Sequence, residues 1–274
     1  MSMYTEIEAA EIIERIAKEV RGMTFIQVPL WDAFANDIAF VNRFLPSPIK
    51  TNVNDYIDNL LQKEAVRFCV SKGTVLYRAR KIDRNKIQKD ADGKYIGYSE
   101  KESGMPPYRS APYGRVGTSG IPVFYTAMDR KTSCMETRPI KNELINVAEY
   151  EVKEDLWIAD FSLEKIKVYD NTPEGILFLN KMFRTFSFPV SSELIDYLPS
   201  EYIAEYIRTK HREIQGIRYS SLHNVGGYNI ALFSQTQCEY KGSQVVECCS
   251  VDCAFRNINK KTDEGQQRVQ GEEI

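Results

Sequence analysis

The chain has 274 residues, 36 basic against 38 acidic, for a formal net charge of −2, so no global field draws it to nucleic acid or to an anionic membrane. No run approaches the ~18 apolar residues of a membrane span. The opening MSMYTEIEAAEIIERIAKEV carries acidic residues where a signal peptide would have an apolar core, so a cytoplasmic protein is expected, with no direct nucleic-acid partner and no membrane partner.

From Tyr4 to about Val20, Ile7, Ile12, Ile13, Ile16 and Val20 recur at helical spacing and predict an amphipathic helix. A second helix is expected in NDYIDNLLQKEAVRFCV, capped by Asn54, with Tyr56, Ile57, Leu60, Leu61, Ala65, Val66 and Cys69 on its apolar face. LPSPIKTN reads as a turn-rich connection between them. Residues 1–70 are therefore expected to form a small N-terminal helical region.

At SKGTVLYRAR the helical periodicity gives way to a β-rich run, with Tyr77 and Arg78 on opposite faces. A long polar stretch follows, from Lys81 to Arg115. Structureless segments of that length are usually functional, so it reads as a binding loop or lid. Its Tyr98, Tyr108 and Tyr113 could stack on a ligand ring or cover apolar surface.

IPVFYTA then reads as a buried strand, KTSCMETR as a helix, and LINVAEYEV and LWIADFS as strands. Helical patterns recur at 174–185 and 200–212, and GIRYSS, YNIALF and SQVVECCSVDC are strand-like. Trp31 and Trp157 sit in apolar runs and are expected in the core. Helices and strands mix without regular βαβ alternation, which predicts an α+β fold with a mixed β core. The tail, 256–274, has the composition of a disordered segment, leaving 71–255 as the main folded domain.

Six cysteines suit a reducing compartment better than a disulfide framework. Four fall in CEYKGSQVVECCSVDC, but no C-x₂-C pair is present, and Cys248 and Cys249 would point to opposite faces of a strand. Small buried thiols are expected there and no metal. The two histidines, His211 and His223, offer little for a His-based triad; His223 lies in a loop near Ser220, where it could contact a ligand or solvent.

In GRVGTSGIPVFYTA, Gly114, Gly117 and Gly120 would let backbone amides approach a phosphate while Arg115 supplies charge. The loop is no P-loop, and a strand follows where a dinucleotide fingerprint would open a helix. Glu136 lies eleven residues after Tyr125 on the next helix. From there a carboxylate could bind ribose hydroxyls and stabilise positive charge on a sugar ring, or be an ordinary solvated glutamate. Ser220 and Ser221 end a strand before a Gly-Gly turn, where hydroxyls contact ligands or serve the turn.

LYRAR, GRVGTSGIPVFYTA…ETRP and GIRYSSLHNVGGYNIALF together resemble the three blocks of the RES domain, a family named for an arginine, a glutamate and a serine. The resemblance spans about 73–235 and puts the family's arginine at Arg78, its strand tyrosine at Tyr125, its glutamate at Glu136, and its serine at Ser221 with Ser220 as the alternative. It implies an ADP-ribosyltransferase-like core that takes NAD as substrate, several members being toxins of toxin–antitoxin pairs that deplete NAD by phosphorolysis, by hydrolysis or by transfer of ADP-ribose to protein. The catalytic set would be Arg78, Tyr125, Glu136 and Ser221, with Arg78, Gly114, Arg115, Tyr125, Ser220 and Ser221 around the NAD. Inorganic phosphate, an antitoxin protein and a second copy of the chain are the implied partners. Breaking the nicotinamide–ribose bond passes through an oxocarbenium-like state. Such a state needs an anion clamp, an aromatic surface and a carboxylate, for which Arg78, Tyr125 and Glu136 supply one each. Arg115 could add a second phosphate contact or hold an attacking phosphate. Many members read G-R-x-N where this chain has GRVG, so Gly117 replaces an asparagine that could brace the loop. A protein-modifying mono-ADP-ribosyltransferase and a non-catalytic NAD-binding module are the rival readings.

Overall fold

The structure, a computed structural model, describes residues 31–85, 87–188 and 194–251. The helix expected at 4–20, the tail at 256–274 and Cys253 lie outside the described residues.

A short helix, α1 (Trp31–Asn36), runs into a π-helical turn at Asp37–Val41, and α2 (Pro48–Leu61) follows. The Ser47 side chain accepts the Lys50 amide and Pro48 fills the first turn, where its missing N–H goes unnoticed, so the helix begins inside the stretch expected to be a turn. Asn54, expected as its cap, lies mid-helix and donates instead to Tyr202 Oη at 3.1 Å. The helix also ends sooner than its periodicity suggests. Arg67–Val70 is a strand, β1, paired antiparallel with a partner about ninety positions downstream, Arg67 opposite Ala159. That ladder supplies the hydrogen bonds a helical continuation would have supplied.

The remaining strands are β2 (Val75–Lys81), β3 (Phe124–Ala127), β4 (Leu144–Val152), β5 (Leu156–Phe161), β6 (Gly216–Ser220), β7 (Tyr228–Leu232) and β8 (Cys238–Glu247). They form one sheet in the order β1-β5-β6-β7-β3-β2-β4-β8, antiparallel except for β5 beside β6. Helices α3 (Glu100–Ser103), α4 (Arg130–Glu136), α5 (Ile166–Tyr169), α6 (Pro173–Ser187) and α7 (Leu198–Lys210) complete an α+β architecture around this mixed sheet. The last strand starts earlier than its sequence pattern suggested and stops at Glu247, opposite Leu144, the first residue of β4. Cys248 and Cys249 consequently lie past the strand.

On α6, capped by Thr172 with Pro173 in the first turn, Phe178, Leu179, Met182, Phe183 and Phe186 form one buried stripe. It packs with Trp31, Phe34, Ile57, Phe161 and Ile217, so α1 and α2 share this core with the sheet. At about 2 kcal/mol per buried large apolar side chain, this layer carries much of the stability. A second cluster, with Leu76, Phe124, Tyr150, Ile158 and Leu232 at its centre, has Met105 packed against it. Met105 belongs to the long segment expected to be a lid, and that part of it is stapled down. The Tyr98 carbonyl accepts from Tyr240 Oη and Ser243 Oγ, both at 2.7 Å, and Gln235 Oε1 accepts the Met105 amide at 2.6 Å. Trp157, expected in the core, is 48% exposed, the one exposed residue of β5.

Candidate active site

Strands β2 and β3 share a single ladder position, Tyr77 opposite Ala127. Past it the two strands part, and the Arg78 side chain bridges the gap in place of a backbone pair. Its Nη1 donates to the Tyr125 carbonyl at 2.6 Å and its Nε to the Ser103 carbonyl at 2.9 Å. The parting opens a cleft of about 320 Å³ whose lining includes Arg78, Tyr125, Glu136, Thr137, Tyr219 and Asn229. Burial first, and then the neighbouring Arg80 charge, lower the Arg78 guanidinium to about 10, which leaves it cationic at neutral pH.

Glu136 ends α4, a helix started by Asp129, whose carboxylate accepts the Thr132 amide at 2.8 Å. A carboxylate at a helix C-terminus is disfavoured by the helix dipole. Two donors offset this: Ser221 Oγ and Asn229 Nδ2 both reach Glu136 Oε1 at 2.7 Å. Oε2 makes no hydrogen bond among the described residues. Ser221 Oγ in turn accepts the Asn224 amide at 3.2 Å, and Asn224 Nδ2 donates to Thr132 Oγ1 at 2.8 Å. The carboxylate is thus held from three elements, which is the pre-organisation a developing cation needs.

Of the two serines, Ser221 is the one that meets Glu136. Ser220 Oγ faces the other side of β6, donating to Glu164 Oε2 at 2.9 Å and accepting the Leu163 amide at 3.1 Å, so the alternative register and the expected Ser220 contact to NAD are not supported by this geometry. Successive residues of an extended chain point to opposite faces.

Tyr125 does more than line the cleft. Its phenol oxygen accepts the amides of Val116 and Gly117, both at 3.1 Å. A Cβ on Gly114 would sit 2.6 Å from the same oxygen, so only glycine lets the loop come this close. Burial pushes the Tyr125 hydroxyl up to about 12, and burial raises that of Tyr219 as well, so both rings are neutral phenols. The Gly114 amide donates to the Gly117 carbonyl at 2.8 Å and the Gly120 amide to the Ala111 carbonyl at 3.3 Å. The loop amides expected to cradle a phosphate are therefore spent inside the protein. Arg115 likewise donates from Nη1 to the Ser187 and Phe186 carbonyls at 2.9 and 3.2 Å, tying the loop to the end of α6, and it is not among the side chains lining the cleft.

Two cleft residues escaped the sequence reading. Tyr219 and Asn229 lie in strands that read as apolar core. The available signal was a polar Asn inside YNIALF, a position that is 3% exposed and needs hydrogen-bond partners. Behind the loop, Glu201 of α7 is 5% exposed, and its Oε1 has no hydrogen-bond partner. Burial raises its carboxyl to about 7, against smaller lowering effects of the Thr118 side chain and Arg43. His211 Nε2 pairs with Asp58 Oδ1 at 2.7 Å and links α7 to α2 away from the cleft.

No helix among the described residues is long and apolar enough to cross a membrane. The RES domain family model matches residues 76–250, a span that holds every cleft residue named above. No curated protein and no solved structure is significantly similar to the chain. With more than half its length matched by that model, the chain belongs to the RES domain family.

Proposed function

We propose that the chain cleaves the nicotinamide–ribose bond of NAD and acts in the cytoplasm as a toxin that depletes NAD, held in check by an antitoxin. The family is one associated with NAD-related toxin function. The observation that carries the reading is the Glu136 carboxylate, fixed through Oε1 by Ser221 and Asn229, with Oε2 unengaged in the cleft that holds Arg78. A carboxylate held this way meets a ribose hydroxyl and the positive charge that grows on the ring as the C–N bond stretches.

In this scheme the bond from ribose C1′ to the pyridinium nitrogen breaks with its electron pair going to nitrogen, so neutral nicotinamide leaves. An oxygen of inorganic phosphate, or of water that then loses a proton, forms the new bond to C1′. Arg78 contributes its remaining terminal nitrogen to the dinucleotide phosphates, and the Tyr125 and Tyr219 rings give a flat ring apolar walls.

The test is nicotinamide release from NAD by the purified chain, with and without inorganic phosphate, beside Glu136→Gln. Release that the variant loses supports cleavage at this site, and a requirement for phosphate selects phosphorolysis. Label from NAD appearing on protein would select transfer instead. A folded wild-type protein that neither releases nicotinamide nor labels a protein would refute the reading.

A further inference from the structure

A dinucleotide brings two phosphates, and most of the anion contacts expected for them are committed within the protein. Arg115 has Nη1 bonded to the end of α6, the glycine-loop amides are bonded to Tyr125 or to loop carbonyls, and Arg78 has two of its three nitrogens on backbone carbonyls. Another cation directly follows the cleft lining in sequence. Arg138 follows Thr137, which lines the cleft, and lies two residues beyond Glu136.

Its backbone is unusual. Arg138 has φ +50°, and its amide donates to the Met135 carbonyl at 2.9 Å, closing α4 at the position after the C-cap. Glycine is the favoured residue there, since a side chain in the left-handed region is strained. A strained non-glycine residue beside a cleft is a pointer to function. Its side chain then reaches across 85 residues of sequence to His223, two beyond Ser221, donating from Nε to His223 Nε2 at 3.3 Å. Arg138 is exposed, and no carboxylate among the described residues pairs with it. With Nε held by the imidazole, Nη1 and Nη2 remain as a fork, the geometry that takes a phosphate through two hydrogen bonds.

We propose that Arg138, oriented by His223, is a phosphate-binding group at the mouth of the cleft. The inference rests on the NAD reading. It leaves two sources for the phosphate: the pyrophosphate of the dinucleotide, or inorganic phosphate poised as the acceptor.

The test is calorimetric titration of ADP-ribose into wild type, Arg138→Gly and His223→Ala, together with nicotinamide release measured against phosphate concentration. Glycine relieves the left-handed strain, so Arg138→Gly is expected to melt no lower than wild type, and any loss of binding is then not loss of folding. ADP-ribose affinity falling about tenfold in Arg138→Gly assigns the group to the dinucleotide. An unchanged ADP-ribose affinity with a roughly tenfold rise in KM for phosphate assigns it to the acceptor. His223→Ala should move the same quantity by about threefold with kcat unchanged, as expected for a positioning residue. If wild type binds ADP-ribose and Arg138→Gly matches it in both measurements, the inference is wrong while the NAD reading stands. If wild type neither binds ADP-ribose nor releases nicotinamide, both fall.

Discussion

Ser221 Oγ donates to Glu136 Oε1 over 2.7 Å, joining the end of β6 to the end of α4 across 85 residues of sequence. Asn229 Nδ2 completes the same oxygen from β7. The carboxylate is therefore oriented before any ligand arrives, which reduces the side-chain entropy that binding would cost.

Glu136→Gln removes the charge proposed to meet the ribose and is expected to lower nicotinamide release by about 100-fold or more. Ser221→Ala and Asn229→Ala each leave one donor on Oε1 and are expected to cost about tenfold, and the double variant less than the product of the two. Initial rates at saturating NAD check this; single variants as active as wild type would show that the carboxylate needs no orientation.

Tyr125→Phe keeps the ring and removes the acceptor of two amides. At about 1–3 kcal/mol for stranding buried donors, it should lower Tm by roughly 5 °C and expose the Val116 and Gly117 amides to hydrogen exchange. Exchange unchanged at those amides would mean that the loop is braced from elsewhere.

Gly117→Asn, which restores the residue many family members carry, is expected to destabilise this chain. A Cβ at 117 meets Val123 Cγ2 at 2.8 Å and the Ile121 carbonyl at 3.2 Å. Overpacking of that kind costs about 1–3 kcal/mol. Thermal denaturation is the measurement, and a higher Tm would show that the loop has room for the larger side chain.

Glu201 titrates near 7 chiefly because it is buried, with Glu205 as a like-charged neighbour. A folded-state value above the unfolded one means that the unfolded chain ionises first. The penalty is absent below about pH 4.5, grows as pH rises to about 7, and is complete above that. Glu201→Gln should raise Tm by several degrees at pH 8 and by little at pH 5. A gain of equal size at both pH values would exclude titration of this carboxyl as the cause.

What the sequence determined by itself was local. Alternation in LINVAEYEV and LWIADFS marked β4 and β5, the apolar stripe marked α6, and the Arg78, Tyr125 and Glu136 blocks marked the family, because period and residue type act over a few neighbours. Tertiary structure decided what depends on a distant partner. Arg67–Val70 is a strand because β5 offers it a ladder, although its own periodicity is helical. The glycine-loop amides look like an anion site in sequence, but in the fold the Tyr125 hydroxyl takes the Val116 and Gly117 amides, and Arg115 Nη1 turns to the Ser187 carbonyl. Ser221 rather than Ser220 meets Glu136 because extended neighbours face opposite ways, and which face holds the cleft is set by how the strands are ordered in the sheet. Arg138 and His223 lie in two separate blocks of the sequence, ETRP and GIRYSSLHNVGGYNIALF; only the fold brings them together, near the carboxylate whose substrate they are proposed to hold.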